Sequence, residues 1–479
     1  MKSHRMHRIH QTMGALALAA AASQAAPTLL AIGTIDGAAD MSGLNYNLES
    51  GASAAMLGGM GSGLAWAGGT TFLSVPDRGP NATPYAAGSV VDNTQSFVAR
   101  FHTLDLSLAS TPVGTLPMTL TAELKATTSL YSPTALFYGN TAGLPSAVPP
   151  INDADHFYFT GRSDGFVPGS SGNPDQARLD PEAIRVSADG KSVFISDEYG
   201  PYIYQFDRAT GERIKTFALP ANLDIANQSA LGATEISGNT TGRVANKGME
   251  GLAITPDGKT LVGFMQSPLA QDGGDGGRAN RLVTIDIATG ATHEYSYDNR
   301  IGSKNYNSSE IVALNDHQFV VLERDGKGLG DGSDAKIKQL WAVDLTGAQD
   351  VGGMSGEAAL LAVAPTKTLF LDVEAALKSM GGLTEAQIPA KLEGLAFGED
   401  VVNGGITYHT VFLANDNDFT AIAGPNKFFA FGFTDGDLAA LNLTYEPQLI
   451  VPEPQSIALM GMGLLLLGFA ARRRVSRTA

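Results

Sequence analysis

One pattern recurs along this chain and limits what it can fold into more than any other feature. The segments PEAIRVSADGKSVFISDEYG from Pro181, EGLAITPDGKTLVGFMQSPL from Glu250, SEIVALNDHQFVVLERDGKG from Ser309 and LEGLAFGEDVVNGGITYHTVFLANDNDF from Leu392 share one order. Each runs from a short apolar strand through a tight turn to a longer apolar strand and a polar loop. An alternating strand such as YIYQFD, RLVTID, LWAVDL or FFAFGF follows, and in the better copies a turn like RATGERI or IATGATH leads into a fourth. GLAWAGGTTFLSVPDRG from Gly63 is a weaker member. Four antiparallel strands repeated in fixed order are the sign of a β-propeller, an all-β fold. Five starts are visible. A sixth blade is expected from the N-terminal TLLAIGTID and C-terminal strands, with seven blades left open. Sharing one blade between the two chain ends closes the ring and removes exposed sheet edges.

Blade geometry gives the charges in these repeats a place. The first strand of a propeller blade lines the central channel, so a residue at its entrance faces the channel mouth. Glu182, Glu250, Glu310 and Glu393 all stand just before the apolar residues of strand one. Strand two returns antiparallel to the same face. Its exits carry Asp77 and Arg78, Asp197 and Glu198, Glu323 with Arg324 and Asp325, and Asn415 with Asp416 and Asp418. So many carboxylates on one rim must raise each other's pKa or hold a cation. Oxygen donors without histidine or cysteine suit a hard metal, calcium before magnesium. The expected metal ligands are Asp77, Glu182, Asp197, Glu250, Glu310, Glu323, Glu393, Asp416 and Asp418. Arg78 and Arg324 are expected to hold an anionic substrate group, with Lys247 beside them.

The chain ends carry addresses. Residues 1–26 join a basic start (Lys2, Arg5, Arg8) to an apolar run and small residues at Ser23, Ala25 and Ala26, the layout of a secretory signal peptide. Residues 451–479 place Val451-Pro452-Glu453-Pro454 before an apolar run from Ile457 to Ala471 and the cluster Arg472, Arg473, Arg474 and Arg477. This order resembles the PEP-CTERM sorting signal of Gram-negative bacteria. The resemblance implies an exosortase as processing partner, transient anchoring in the inner membrane, and release to the outer surface or an extracellular matrix. One domain, 27–448, lies between. The formal charge is −16, and the two ends hold seven of the 32 basic residues, so the domain is more acidic than the whole. That field disfavours nucleic acid as a partner and favours cations. The chain has no cysteine, which excludes disulfides, thiolate metal sites and cysteine nucleophiles.

Asn246 to Ala253, Ser196 to Pro201, Gln266 to Leu269, Glu323 to Asp325 and Glu393 to Phe419 together resemble the phytase-like β-propeller family, labelled for esterase-like activity. The resemblance implies a secreted propeller with phosphoester or ester hydrolysis and calcium ions that hold phosphate oxygens and activate a water. It makes Glu250, Asp197, Glu198, Arg78 and Arg324 the expected catalytic residues, acting on a small ester or phosphoester. No G-x-S-x-G elbow and no H-E-x-x-H motif is present, which argues against serine and zinc hydrolases. QDGGDGG and DGKGLGDGSD do not match an EF-hand loop, and His156 is expected to be structural. The competing expectation is a non-catalytic surface propeller that binds exopolysaccharide or another surface partner.

Overall fold

The computed structural model describes residues 27–81, 94–138, 146–163, 173–200, 202–229 and 232–450. The expected signal peptide and sorting tail lie outside them. Among the described residues, no helix is long and apolar enough to cross a membrane.

Five four-stranded antiparallel sheets account for most of the strands. From the axis outward, blade 1 is Gly63–Trp66, Thr71–Val75, Arg100–Ala109 and Thr119–Ser129. Blade 2 is Pro181–Val186, Ser192–Asp197, Tyr202–Asp207 and Arg213–Ala218. Blade 3 is Met249–Ile254, Thr260–Met265, Ala279–Asp286 and Thr292–Asp298. Blade 4 is Asn307–Ala313, Gln318–Arg324, Lys338–Asp344 and Lys367–Asp372. Blade 5 is Lys391–Asn403, Ile406–Asp416, Asn426–Phe433 and, from the other end of the chain, Thr28–Ile35. Each inner strand contacts the next, and that of blade 5 contacts that of blade 1, so the ring closes.

The blade number corrects the expectation of six. The N-terminal strand does join the C-terminal strands, with Leu29 opposite Phe431 and Ile32 opposite Phe429. It builds no extra blade, because the repeat from Leu392 supplies only three strands and the N-terminal strand is its fourth.

Local sequence explains the blades. In the SADGK and TPDGK turns, Asp189 accepts from the Lys191 amide at 3.1 Å and Asp257 from the Lys259 amide at 3.0 Å. Gly190 and Gly258 follow at φ 72° and 70°, where a side chain is disfavoured. Apolar residues of strands one to three fill the spaces between blades: Leu73, Phe101, Ile184, Ile195 and Tyr204 between blades 1 and 2, and Leu322, Leu340, Leu395, Leu413 and Phe431 between blades 4 and 5. Near the axis the strands crowd. A Cβ on Gly63 would come within 2.8 Å of the Ala183 Cα, and one on Gly394 within 3.0 Å of the Gly61 carbonyl oxygen.

The channel is closed inside by one ion pair. Arg185 donates through Nη1 to the carbonyls of Leu64 and Ile184, both at 2.6 Å, and through Nη2 to Ile311 at 2.8 Å and Leu395 at 3.3 Å. The same Nη2 lies 3.0 Å from Glu310 Oε1, which also accepts from the Leu252 amide at 2.9 Å. The pair therefore touches the inner strands of all five blades. Beyond it, the segment after Leu443 crosses the far end of the channel. The Glu446 amide donates to the Leu314 carbonyl at 2.7 Å, and Gln448 Nε2 to the Val186 carbonyl at 2.9 Å. A cavity of about 40 Å³ lies there, lined by Arg185, Phe397, Tyr445 and Gln448 among others. The described residues close the channel at this end.

Removing one member of a buried ion pair strands the other charge. Arg185→Leu is therefore expected to lower unfolding free energy by about 3–5 kcal/mol, and Arg185→Leu with Glu310→Leu to recover more than half of that loss. Equal stability of wild type and Arg185→Leu in urea would contradict this role.

Candidate functional site

The inner strands begin at the other end of the channel, and most begin irregularly. The ladder shifts between Pro181 and Ile184, Met249 and Gly251, Ser308 and Glu310, and Leu392 and Leu395. Bulges of this kind re-aim side chains at the ends of sheets. The blades superpose on the pairs Leu64–Ser74, Ile184–Ile195, Leu252–Gly263, Ile311–Val321 and Leu395–Leu413. Two residues before the first member stand Ser62, Glu182, Glu250, Ser309 and Glu393. Three residues after the second stand Asp77, Glu198, Gln266, Arg324 and Asp416. These two rings of equivalent positions make the rim.

Register and contacts place four of the expected site residues away from these rim positions. Glu310 is one residue closer to its apolar partner than the other three glutamates, so Ser309 takes the rim position. A one-residue shift turns a strand side chain to the opposite face, and Glu310 goes to Arg185. Glu323 stands one residue short of the rim position on strand two. It pairs with Lys367 and accepts from the Tyr297 hydroxyl, between blades 3 and 4. Asp197 occupies the same off-rim position in blade 2. It accepts from the amides of Asp180 at 3.0 Å, Tyr199 at 3.1 Å and Gly200 at 3.3 Å, and so shapes the loop that presents Glu198. Lys247 lies 3.6 Å from Asp275, on the QDGGDGG loop. Its neighbour Asn246, at φ 55°, reaches Arg78 instead.

The rim divides into two halves of different character. On one side, blade 5 holds Asp416 and Asp418 beside Asp77 of blade 1, close enough for one oxygen of each to share a small site. Lys391 Nζ already occupies that neighbourhood, 3.0 Å from Asp416 and 2.5 Å from Asp418. Burial opposes charge on Lys391, yet Asp416, Glu393, Asp418 and Asp77 outweigh it and hold its pKa well above the usual lysine range. Arg324 is paired with Glu393. Two cations thus stand among the four carboxylates of this half, and burial together with Asp416 still pushes the Asp77 pKa well up.

On the other side, Asp180, Glu182 and Glu198 gather their oxygens within 4.8 Å of one another. Arg78 supplies partial compensation, with Nη1 2.9 Å from Asp180 and 3.8 Å from Glu198, and its amide 3.0 Å from Asp180. Glu198 also accepts from the Gly248 amide at 3.1 Å. Glu250 accepts from Gln266 at 2.6 Å through Oε1, while its buried Oε2 has no partner. Glu182 is 7% exposed, and no described side chain or amide pairs with its carboxylate. Burial first, then Glu250, Asp180 and Glu198, push the Glu182 pKa well up. Burial, then Glu198 and Glu393, do the same to Glu250. Burial and Asp180 push Glu198 up to about 8. Buried carboxylates without partners take up a proton or a cation. All donors are oxygen, which fits a hard divalent ion.

Beside this acidic half opens a cavity of about 450 Å³ lined by Arg78, Arg178, Tyr199, Ile225, Arg243 and Asn246 among others. Glu235 stands against Arg178 at 3.4 Å and Arg243 at 3.8 Å. Arg78 and Asn246 belong to both the cavity wall and the rim.

Comparison with known proteins places this arrangement in a family. A family model described as "Phytase-like: Esterase-like activity of phytase" matches residues 56–419. The chain belongs to the phytase-like family. The match takes in all five inner strands and every rim residue named above. A PEP-CTERM protein-sorting motif matches residues 451–474. An uncharacterized secreted protein of Arthroderma benhamiae is 29% identical, over 55% of this chain and 54% of its own length. The chain thus spans about half of that relative. Similar solved structures include hydrazine synthase of Kuenenia stuttgartiensis, at 11% identity, TM-score 0.30 and coverage of 75% of this chain and 78% of that one. A gluconolactonase of Xanthomonas campestris, XC5397, has the same identity and TM-score, with coverage of 78% and 86%.

Sequence reasoning missed Asp180, Gln266 and Lys391. Gln266 was within reach, since it holds the same strand-two position as Glu198 and Arg324.

The raised carboxyl pKa values carry a sign for stability. Their folded values exceed the unfolded value of ~4.3, so the folded chain binds more protons and stability falls as pH rises through that window. Without added divalent cation, thermal unfolding of this phytase-like domain is expected to shift to lower temperature between about pH 5 and about pH 8. Glu182→Gln should flatten the slope. A flat profile in the wild type would contradict the unpaired state of Glu182 and Glu250.

Proposed function

We propose that this phytase-like protein is an exported, cation-assisted hydrolase of phosphoric or carboxylic esters, with the acidic half of the rim as its active site. The observation that carries the reading is the Glu182 carboxylate, 7% exposed and with no described partner, together with the partnerless Glu250 Oε2, in the cluster whose Asp180 and Glu198 meet the Arg78 guanidinium. Glu310 and Glu323 also leave one oxygen without a partner, but each is held in a direct ion pair through the other oxygen, which Glu182 is not. Asp180, Glu182 and Glu198 would hold the cation, calcium being the first candidate. When bound, such an ion polarises an ester oxygen and acidifies a water.

The chain's own residues supply the rest. Arg78, fixed through Nη1 by Asp180 and Asn246 in the wall shared by cavity and rim, is placed to donate to an anionic oxygen of the substrate. Glu250, steadied by Gln266 at one oxygen, offers the other as acceptor for a proton from the attacking water. The neighbouring cavity takes the organic part of the ester. The closed far end of the channel makes entry and exit use the same mouth. Arg324, among the expected catalytic residues, pairs with Glu393 and also draws down the pKa of Glu250, so its part in this reading is to tune these carboxyls.

Purified mature protein is expected to hydrolyse members of a phosphomonoester and carboxylate-ester panel, to lose activity in EDTA and to regain it with calcium. Glu182→Gln should lower kcat/KM on the order of a hundredfold, the usual cost of removing one group that stabilises the transition state. Turnover indifferent to both treatments would sink the proposal. Absence of turnover with retained exopolysaccharide binding would favour a binding propeller.

The lysine in the opposite cluster yields a separate expectation. The wild type should bind one divalent ion at the rim by calorimetry, and Lys391→Met should bind a second, with Asp77, Asp416 and Asp418 released from their internal cation. Identical stoichiometry in both proteins would show that Lys391 does not hold that place.

A further inference from the structure

The direction in which the chain leaves the propeller is fixed by its last described residues. Asn315 Nδ2 donates to the Thr444 carbonyl at 3.1 Å, the Glu446 amide to Leu314, and Gln448 Nε2 to Val186. Tyr445 packs on Phe397 with ring centroids 4.8 Å apart, and Ile450 packs against the apolar residues between blades 1 and 2. Val186 and Leu314 lie at or just beyond the far ends of inner strands whose first residues form the rim, and Phe397 lies midway along the long inner strand of blade 5. The described segment therefore runs across the face opposite the carboxylate rim.

The sorting motif begins at the next residue, 451. Its apolar run starts at Ile457, so residues 451–456 are the only tether. The seven steps from Ile450 to Ile457 reach at most ~25 Å when fully extended. An inner strand such as Pro181–Val186 is ~17 Å long at 3.3 Å per residue, and the four strands of a blade are ~14 Å across at ~4.8 Å between neighbours. A tether of that length cannot cover both the depth and the width of a blade, and so cannot bring the rim round to the surface that holds its other end.

We propose that in the tail-bearing precursor the face crossed by Thr444–Ile450 is held against the membrane surface, and the carboxylate rim points away from it. The site is then open to soluble and extracellular substrates before the tail is processed. The partner of the strapped face is the lipid surface itself, and removal of the tail changes where the site is, not whether it is accessible. This inference rests on the apolar tail entering the membrane and is independent of the hydrolase reading.

The absence of cysteine in the native chain allows a clean test. Full-length precursor would be made in cells lacking the processing enzyme, with one cysteine on each face in turn. Thr420→Cys and Ile422→Cys lie on exposed positions of the loop that follows Asp416 at the rim. Lys191→Cys and Lys259→Cys lie on exposed turns at the strapped face. A bulky polyethylene-glycol maleimide is applied to membranes with the periplasmic side outward, before and after detergent. The rim cysteines are expected to react equally fast in both states. The strapped-face cysteines should react an order of magnitude more slowly in membranes and recover in detergent. Equal rates at both faces in membranes would overturn the orientation. Recovery of the precursor in the soluble fraction would overturn the membrane role of the tail, and the orientation with it.

Discussion

The Arg185–Glu310 pair is the contact on which the rest of the molecule depends. A propeller buries backbone carbonyls of its inner strands around an axis too narrow for a sixth element, and those groups need partners. One guanidinium meets four of them, on blades 1, 2, 4 and 5, and its glutamate takes the amide of the third blade. Burial pushes the Glu310 pKa up to about 8, against the opposing pull of Arg185 and the two amides it accepts from. The pair is thus costly to desolvate and specific in geometry, a combination that fixes register better than it adds stability. It also sets the floor of the funnel, so that ligands meet only the rim.

Above that floor, blade repetition delivers ten equivalent positions, and the chemistry of each half follows from what stands in them. Glu393 and Asp416 have basic partners in direct contact, Arg324 and Lys391, which offset part of the charge there. Glu182 has no such partner, Glu198 is 3.8 Å from Arg78, and Glu250 is met by Gln266. That difference between the halves is what gives the rim a direction, with the less compensated carboxylates toward the Arg78 edge of the 450 Å³ cavity.

Much of this arrangement is legible in the amino-acid sequence. The repeat shows strand order, the channel face and the sharing of one blade between chain ends, because those follow from period-two alternation and edge protection alone. Glu250, Glu182 and Glu393 are legible for the same reason. Blade number is not, since a borrowed fourth strand looks in sequence like the seed of another blade. Counting from its charge misplaces Glu310. Counting back from Ile311 shows that no small residue separates it from the first apolar position, unlike the Ala183, Gly251 and Gly394 of the other three copies. A similar single step on strand two misplaces Glu323 and Asp197. Lys391 and Asp180 cannot be read, because what makes them part of the site is a partner on another strand or another blade.

The central claim is that the acidic half of the rim, and not the lysine-filled half, is built for a divalent cation. Anomalous diffraction from crystals soaked in manganese tests it most directly, because it locates the ion without relying on turnover. A single peak is expected within ligand distance of Asp180, Glu182 and Glu198, on the side of Glu250 and Arg78. A peak beside Asp416 and Asp418 with Lys391 displaced, or no peak at the rim at all, would contradict it.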